Sequence, residues 1–187
     1  IGLWVRGTLQ ECVNIMQTGR IVRLAKKIII GTAVIEGLGA LILAARFSRT
    51  MEAGQAVYYG IFHSISAFCN AGFDLMGKNG EYISLTEYSG DWVVNIVIML
   101  LIIIGGIGFF IWNDLSENKL NFRRYRLHTK ITILMTLFLI FGGAFLLFIF
   151  EYGNTLAGRP LDEQILCSLF GSVTARTAGF NTVDTGA

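Results

Sequence analysis

The sequence predicts an all-α membrane protein with a repeated unit: a spanning helix, a short apolar helix, a glycine loop and a second span. Three observations lead to this fold class. Of the 187 residues, 53% are hydrophobic and only 15% are charged, against about 25% charged residues in soluble domains. The apolar residues form runs of the length that crosses a bilayer, about 20 residues. An Ala-Gly-Phe segment also occurs twice, at 71–73 and 178–180, each time after a short apolar stretch.

The composition also excludes several classes of function. A net charge of only +2 gives no basis for nucleic-acid binding. The cysteines Cys12, Cys69 and Cys167 are odd in number and lack the spacing of metal ligands. We therefore interpret them as packing residues, not as zinc ligands or a disulfide framework, and expect no covalently bound cofactor.

The chain begins with a basic segment and a first span. Residues 1–27 are amphipathic at best and predict a cytoplasmic connecting segment. The first span is expected at about 28–45. It contains one acid, Glu36, near its middle, where an ionisable side chain usually faces protein or water. For Glu36 we weigh a protonated or hydrogen-bonded packing role against a functional one.

The first short helix is expected at about 56–69, too short to span and therefore typical of a re-entrant segment. A second span is expected at about 92–112, bracketed by Trp92 and Trp112 as interfacial anchors. Its glycine cluster, 105–108, lies in one unbroken apolar run, so we expect it to serve close helix packing. The loop at 70–73 consists of Asn70, Ala71, Gly72 and Phe73.

The same order of elements then begins again. A basic loop is expected at 113–130, a third span at about 131–150 and a second short helix at about 163–175. The loop at 177–180 consists of Thr177, Ala178, Gly179 and Phe180. The spans match at an offset of 103, which pairs Gly39 with Gly142, and the loops match at an offset of 107. Matches at two kinds of landmark indicate an internal repeat.

The basic residues orient the chain. Segments 1–27 and 113–130 each hold five of the fifteen Lys and Arg residues, and short basic loops stay cytoplasmic. Both short helices then enter from the outer side. The two units are parallel, related by an axis along the membrane normal.

Glycine loops at membrane depth predict an ion pathway lined by backbone carbonyls, because irregular backbone is tolerated there only around a cavity or inside protein. Glycine allows carbonyls to point inward, and the C-terminal end of each short helix favours a cation. Two loops cannot close a ring around an ion, so we expect four. The candidate ligands are the backbone carbonyls of Asn70, Ala71, Gly72, Thr177, Ala178 and Gly179.

Two other functions are weighed against a cation translocator, which is not an enzyme. An intramembrane enzyme would have to use Glu36, His63 or Cys69, but no paired acids, metal-binding helix motif or nucleophile elbow supports this interpretation. His63 itself is more typical of a hydrogen-bonding residue than of a metal ligand. An alternating-access cation carrier would more typically place broken spanning helices at its site.

At these loops the chain resembles the Trk/Ktr/HKT superfamily of potassium and sodium translocating proteins, and it looks closest to the bacterial KtrB type, including NtpJ-like subunits. The matching segments are 62–73 (FHSISAFCNAGF), 95–109 (NIVIMLLIIIGGIGF), 127–130 (LHTK) and 172–182 (SVTARTAGFNT). The resemblance implies that the chain is a fragment of a protein with four repeats. Residues 28–112 would be the second repeat and 131–187 an incomplete third. The short helices would be pore helices and the loops selectivity-filter strands, as in potassium channels.

The resemblance also implies a function and partners. The function would be potassium uptake across the bacterial plasma membrane, with sodium as a second transported or coupling ion. The full-length subunit would be a multi-pass protein of the lipid bilayer, form a homodimer and bind a cytoplasmic, nucleotide-binding, KtrA-like regulatory subunit. The family's gate, in the second span of the third repeat, would lie outside this chain.

Overall fold

The computed structural model describes residues 18–79, 83–118 and 121–183, and all regular structure in these segments is helical. Residues 1–35 form one unit and residues 36–187 a second. The expected connecting segment 1–27 lies outside the described residues up to position 17. The α-helices of the described part are α1 (Thr18–Phe47), α2 (Ala53–Phe68), α3 (Trp92–Gly106), α4 (Phe109–Asn118), α5 (Leu127–Glu151) and α6 (Leu161–Thr177).

Among the residues that the structure describes, two helices are long and apolar enough to cross a bilayer, namely Ala25–Phe47 of α1 with 23 residues and α5 with 25 residues. At 1.5 Å per residue each reaches about 35 Å, which exceeds the hydrocarbon thickness of about 30 Å. Large side chains on α5 remain exposed, including Phe138, Phe141 and Phe145. Such a surface is suited to contact with lipid.

The two short helices, α2 and α6, both contact helix α3. Helix α2 has 16 residues and α6 has 17, so each reaches only about 25 Å. Helix α3 packs against both of them, and α6 also packs against α5. Compared with the expected ranges, α2 starts earlier, at Ala53, and α6 continues through Thr177, the first residue of the expected second loop.

The sequence predicts one helix from 92 to 112 for the second span, and the structure differs from this prediction. Helix α3 ends at Gly106, and α4 starts at Phe109 with a bend of 95° between the two. Gly108, between them, has a φ of +89°, a conformation that glycine adopts readily. The Trp112 indole N–H donates to the Ile104 carbonyl at 3.0 Å, which satisfies a carbonyl that the helix end would leave unpaired.

The start of α3 is fixed by a capping carboxylate. Asp91 accepts hydrogen bonds from the backbone N–H groups of Val93 and Val94 at 3.0 and 3.3 Å. The same side chain forms an ion pair with Arg46 near the end of α1. One carboxylate therefore caps α3 and links it to the end of α1.

A second carboxylate joins α4 to the start of α5. Asp114 is buried and accepts hydrogen bonds from the Arg126 backbone N–H at 3.0 Å and from the Asn118 carboxamide at 2.9 Å. The Thr129 side chain also donates to it. These bonds, that from Thr129 foremost, hold the pKa of Asp114 below its ordinary value. The segment expected as a polar loop, 113–130, therefore contains the end of α4 and the first turn of α5.

Candidate functional site

Each short helix ends in a loop whose glycine has a positive φ. The φ of Gly72 is +70° and that of Gly179 is +95°, values that side chains with a Cβ rarely adopt. Asn70 also has a positive φ, of +54°, which asparagine tolerates better than most residues. The sequence-predicted glycines thus occupy the turns at which α2 and α6 give way to irregular chain.

The two loops lie directly against each other. A Cβ added to Gly72 would overlap the carbonyl oxygen of Ala178. The Thr177 hydroxyl lies 2.7 Å from the Asn70 carboxamide oxygen and donates a hydrogen bond to it. The structure therefore brings together the segments that contain all six predicted ligand residues, although they lie 107 positions apart in the chain.

Hydrogen bonds to the short helices hold both loops. The Ser66 hydroxyl on α2 donates to the Phe73 carbonyl at 2.7 Å. In the second loop, the Gly179 N–H donates to the Thr174 side-chain oxygen at 3.0 Å. Within the described part of the chain, no group donates a hydrogen bond to the backbone carbonyl oxygens of four loop residues, namely Ala71, Gly72, Ala178 and Gly179.

The break in α3 lies beside the first loop. A Cβ on Gly105 would overlap the Phe68 carbonyl oxygen, and one on Gly106 would lie 3.7 Å from the Asn70 carboxamide. The glycine cluster therefore allows close packing, as the sequence predicted, and the structure shows that this packing is between α3 and the end of α2. The unbroken helix predicted through the same cluster is not what the structure shows.

Equivalent serines attach each short helix to the long helix before it. The Ser64 hydroxyl donates to the Glu36 carbonyl at 2.7 Å, and the Ser172 hydroxyl donates to the Ile140 carbonyl at 2.8 Å. Three residues after each acceptor stands a glycine, Gly39 or Gly143, where an added Cβ would overlap or crowd the serine hydroxyl. The contacts thus pair Gly39 with Gly143, one position beyond the Gly142 that the sequence offset selects.

Sequence reasoning did not single out these serines, yet a signal was present. Ser64-Ile65-Ser66 and Ser172-Val173-Thr174 share a small-polar, apolar, small-polar pattern at an offset of 108. The offset drops to 107 in the loops because the first loop has one residue more between this pattern and its glycine.

Two of the residues weighed for an intramembrane enzyme, His63 and Cys69, lie in different environments. His63 is fully buried, with Nδ1 2.7 Å from the Tyr59 carbonyl and Nε2 3.4 Å from the Leu75 N–H. Cys69 is exposed at the C-terminal cap of α2. No group of three His, Cys, Asp or Glu residues in the described segments is arranged to hold a metal ion. The His63 side chain thus hydrogen-bonds to backbone groups before and after the first loop.

Comparison with known proteins identifies the family of the chain. The chain matches TrkH, described as a cation transport protein, over residues 6–187. It is 39% identical over 188 residues to the Ktr system potassium uptake protein B of Bacillus subtilis (strain 168), covering 100% of this chain and 41% of that protein. It is 33% identical over 186 residues to the potassium/sodium uptake protein NtpJ of Enterococcus hirae, covering 98% of this chain and 40% of that one.

A third relative extends the comparison to another organism. The Ktr system potassium uptake protein B of Vibrio alginolyticus is 36% identical over 165 residues, covering 87% of this chain and 35% of that protein. The chain thus spans about two fifths of the length of these relatives. A family match over nearly the whole chain, together with helices able to cross a bilayer, shows that this membrane protein belongs to the TrkH family of cation transport proteins.

Proposed function

We propose that the chain is part of a potassium-uptake subunit that moves monovalent cations through a constriction lined by backbone carbonyls. The observation that carries the proposal is the direct contact between the two glycine loops, where Gly72 lies against the Ala178 carbonyl. On this proposal α2 and α6 are pore helices and the two loops are neighbouring strands of a selectivity filter. Two further strands, outside this chain, complete the ring.

The ion ligands are the carbonyl oxygens of Asn70, Ala71, Gly72, Thr177, Ala178 and Gly179. A monovalent cation that sheds water needs oxygens of comparable field strength, and carbonyls supply them without a full charge that would trap the ion. Because both pore helices end at the loops, the negative ends of their dipoles add to the attraction for a cation.

Potassium is the proposed main ion, with sodium as a second transported or coupling ion. The names of the relatives support both, since two are potassium uptake proteins and one is a potassium/sodium uptake protein. In the plasma membrane, the basic segment 113–130 faces the cytoplasm and the pore helices enter from outside. The full-length subunit forms a homodimer and binds a KtrA-like regulatory subunit on the cytoplasmic face; the word system in the name of one relative fits an assembly of more than one component.

One observation favours an alternating-access carrier as a second candidate. The break between α3 and α4 lies next to Asn70 and Thr177, since a Cβ on Gly106 would be 3.7 and 4.0 Å from their side chains. Broken helices at the ion site are typical of carriers. Single-channel-like flux that stays passive would favour the filter, whereas slow exchange of fixed stoichiometry would favour the carrier.

Glycine substitutions in the full-length subunit test the proposal, with half-saturating potassium concentration and sodium competition as readouts. Gly179→Ser has room for its Cβ but strains a φ of +95°. A residue with a Cβ in left-handed backbone costs about 1–2 kcal/mol. We expect the loop to move to relieve this strain, which should weaken potassium affinity about tenfold. Gly72→Ser should lose more, because its side chain also overlaps the Ala178 carbonyl.

Gly158→Ser is the matched control. Gly158 has a φ of +77° and open space for a Cβ, but it lies in the turn before α6, at the opposite end of that helix from the second loop. Its substitution introduces similar strain and should leave affinity and ion preference unchanged. Wild-type affinity and preference in both loop variants, at normal membrane levels, would rule out the filter.

A further inference from the structure

One buried histidine contacts the chain just after the first glycine loop and the last residue of the second loop. His63 Nδ1 lies 2.7 Å from the Tyr59 carbonyl oxygen, which can only accept, so Nδ1 carries the proton. Nε2 is then an acceptor, and the Leu75 N–H donates to it at 3.4 Å. The two bonds require the same neutral tautomer, because an imidazole has one donor and one acceptor in that form.

Leu75, whose N–H donates to His63, is also held at its carbonyl oxygen. The Tyr59 hydroxyl donates to the Leu75 carbonyl at 3.0 Å, and Ser66 holds the Phe73 carbonyl. Tyr59, His63 and Ser66 are spaced by four and three residues, which places them on one face of α2. That face holds the backbone of Phe73 and Leu75, two of the three residues that follow Gly72.

The other side of the imidazole faces the second loop. The ring of Phe180, which follows Gly179, has its centroid 6.4 Å from that of His63. Both side chains are 0% exposed. The Phe47 ring contacts His63 from α1 at 5.7 Å. In a packed interior of this kind, a change of ring shape or position is transmitted to its neighbours.

We propose that His63 is a positioning residue shared by the two loops, which sets their spacing and thereby contributes to the preference for potassium over sodium. This inference rests on the proposed filter function. His63 does not contact the ion; it acts through Leu75 on the first loop and through Phe180 on the second. A shift in either strand changes the distance between the facing carbonyls.

Two substitutions of His63 separate its hydrogen bond from its packing. His63→Phe keeps a ring but leaves the half-buried Leu75 N–H without an acceptor, and His63→Gln offers a carboxamide oxygen near the position of Nε2. In the full-length subunit we expect His63→Phe to lower the potassium-to-sodium preference about tenfold, since the Leu75 N–H loses its hydrogen-bond acceptor. His63→Gln should retain most of the preference.

Tyr59→Phe provides an independent variant, because it removes only the hydroxyl that holds the Leu75 carbonyl. It should lower the preference several-fold, whereas the same change at the exposed neighbour Tyr58 should not. Unchanged preference in both His63→Phe and Tyr59→Phe, at normal membrane levels, overturns the inference. If His63→Phe does not reach the membrane, Tyr59→Phe decides alone, and unchanged preference in it overturns the inference.

Gly179→Ser is measured in the same series. If it changes the preference while the His63 and Tyr59 variants do not, the positioning role fails and the filter stands. If Gly179→Ser and Gly72→Ser both behave as wild type, the filter itself fails, and the positioning role fails with it.

Discussion

The Thr177 hydroxyl donates a hydrogen bond to the Asn70 carboxamide oxygen at 2.7 Å. These two residues hold corresponding places, each two positions before a loop glycine. Asn70 also donates through its carboxamide nitrogen to the Phe68 carbonyl at 3.2 Å. A side-chain bridge therefore joins the starts of the two loops and ties them to the end of α2.

Thr177→Val should weaken potassium affinity, because it keeps the shape of the side chain but leaves the Asn70 carboxamide oxygen without its donor. A neutral hydrogen bond contributes about 0.5–1.5 kcal/mol, so we expect about a two- to tenfold increase in the half-saturating potassium concentration. Thr177→Ser retains the hydroxyl and serves as the control. Equal affinities for the valine and serine variants would show that the bridge plays no part.

The neighbouring glycines of α5 provide a second test, of packing. A Cβ at Gly143 would overlap the Ser172 hydroxyl, whereas one at Gly142 meets nothing within 4 Å. Gly143→Ala should therefore lower the thermal unfolding temperature, since overpacking costs about 1–3 kcal/mol. Gly142→Ala should be neutral or stabilising, because alanine is favoured over glycine in helices by about 1 kcal/mol. The reverse order would refute the contact between α5 and α6.

The turns at the loop glycines could be predicted from the sequence because they depend on local composition. Gly72 and Gly179 follow short apolar stretches, and a turn with positive φ selects glycine wherever it occurs. The exact pairing of the spans could not be predicted in this way. Gly142 and Gly143 are adjacent and identical in type, and only the position of Ser172 across the interface decides which one is packed.

The break in the helix after Gly106 also could not be predicted from the sequence. An apolar run looks the same whether it forms one helix or two, and glycines in such a run can serve either close packing or interruption. What distinguishes them here is tertiary: Gly105 lies against the Phe68 carbonyl, and Trp112 folds back to the Ile104 carbonyl. The burial of Phe180 beside His63, while Phe73 stays exposed, likewise depends on contacts between distant segments.

The hydrogen bonds that depress the pKa of Asp114 predict a pH dependence of stability. A carboxylate whose pKa is lower in the folded protein stabilises it above the ordinary carboxyl pKa of about 4. That contribution is lost as the pH falls from there through the lower folded value. The thermal unfolding temperature of the full-length protein in detergent should fall more steeply below pH 4 in the wild type than in Asp114→Asn. Parallel curves would contradict the assignment.

Glu36 should not determine selectivity. Its carbonyl accepts from Ser64, and the residue in the same contact on α5 is the apolar Ile140, so the repeat does not require an acid there. Glu36→Gln keeps the shape of the side chain and should leave the potassium-to-sodium preference near that of the wild type while altering mainly expression or stability. A changed preference at normal protein levels would place Glu36 on the ion path.

The central claim concerns where the ion binds, and the most direct measurement is the position of rubidium, a potassium substitute, in a structure of the full-length protein. Anomalous scattering from crystals soaked in rubidium should show a site between the two loops, coordinated by backbone carbonyls that include those of Gly72 and Gly179. Loss of that site in Gly72→Ser would support the same conclusion. Rubidium bound at side-chain carboxylates such as Asp74 or Glu36, with none between the loops, would contradict the account.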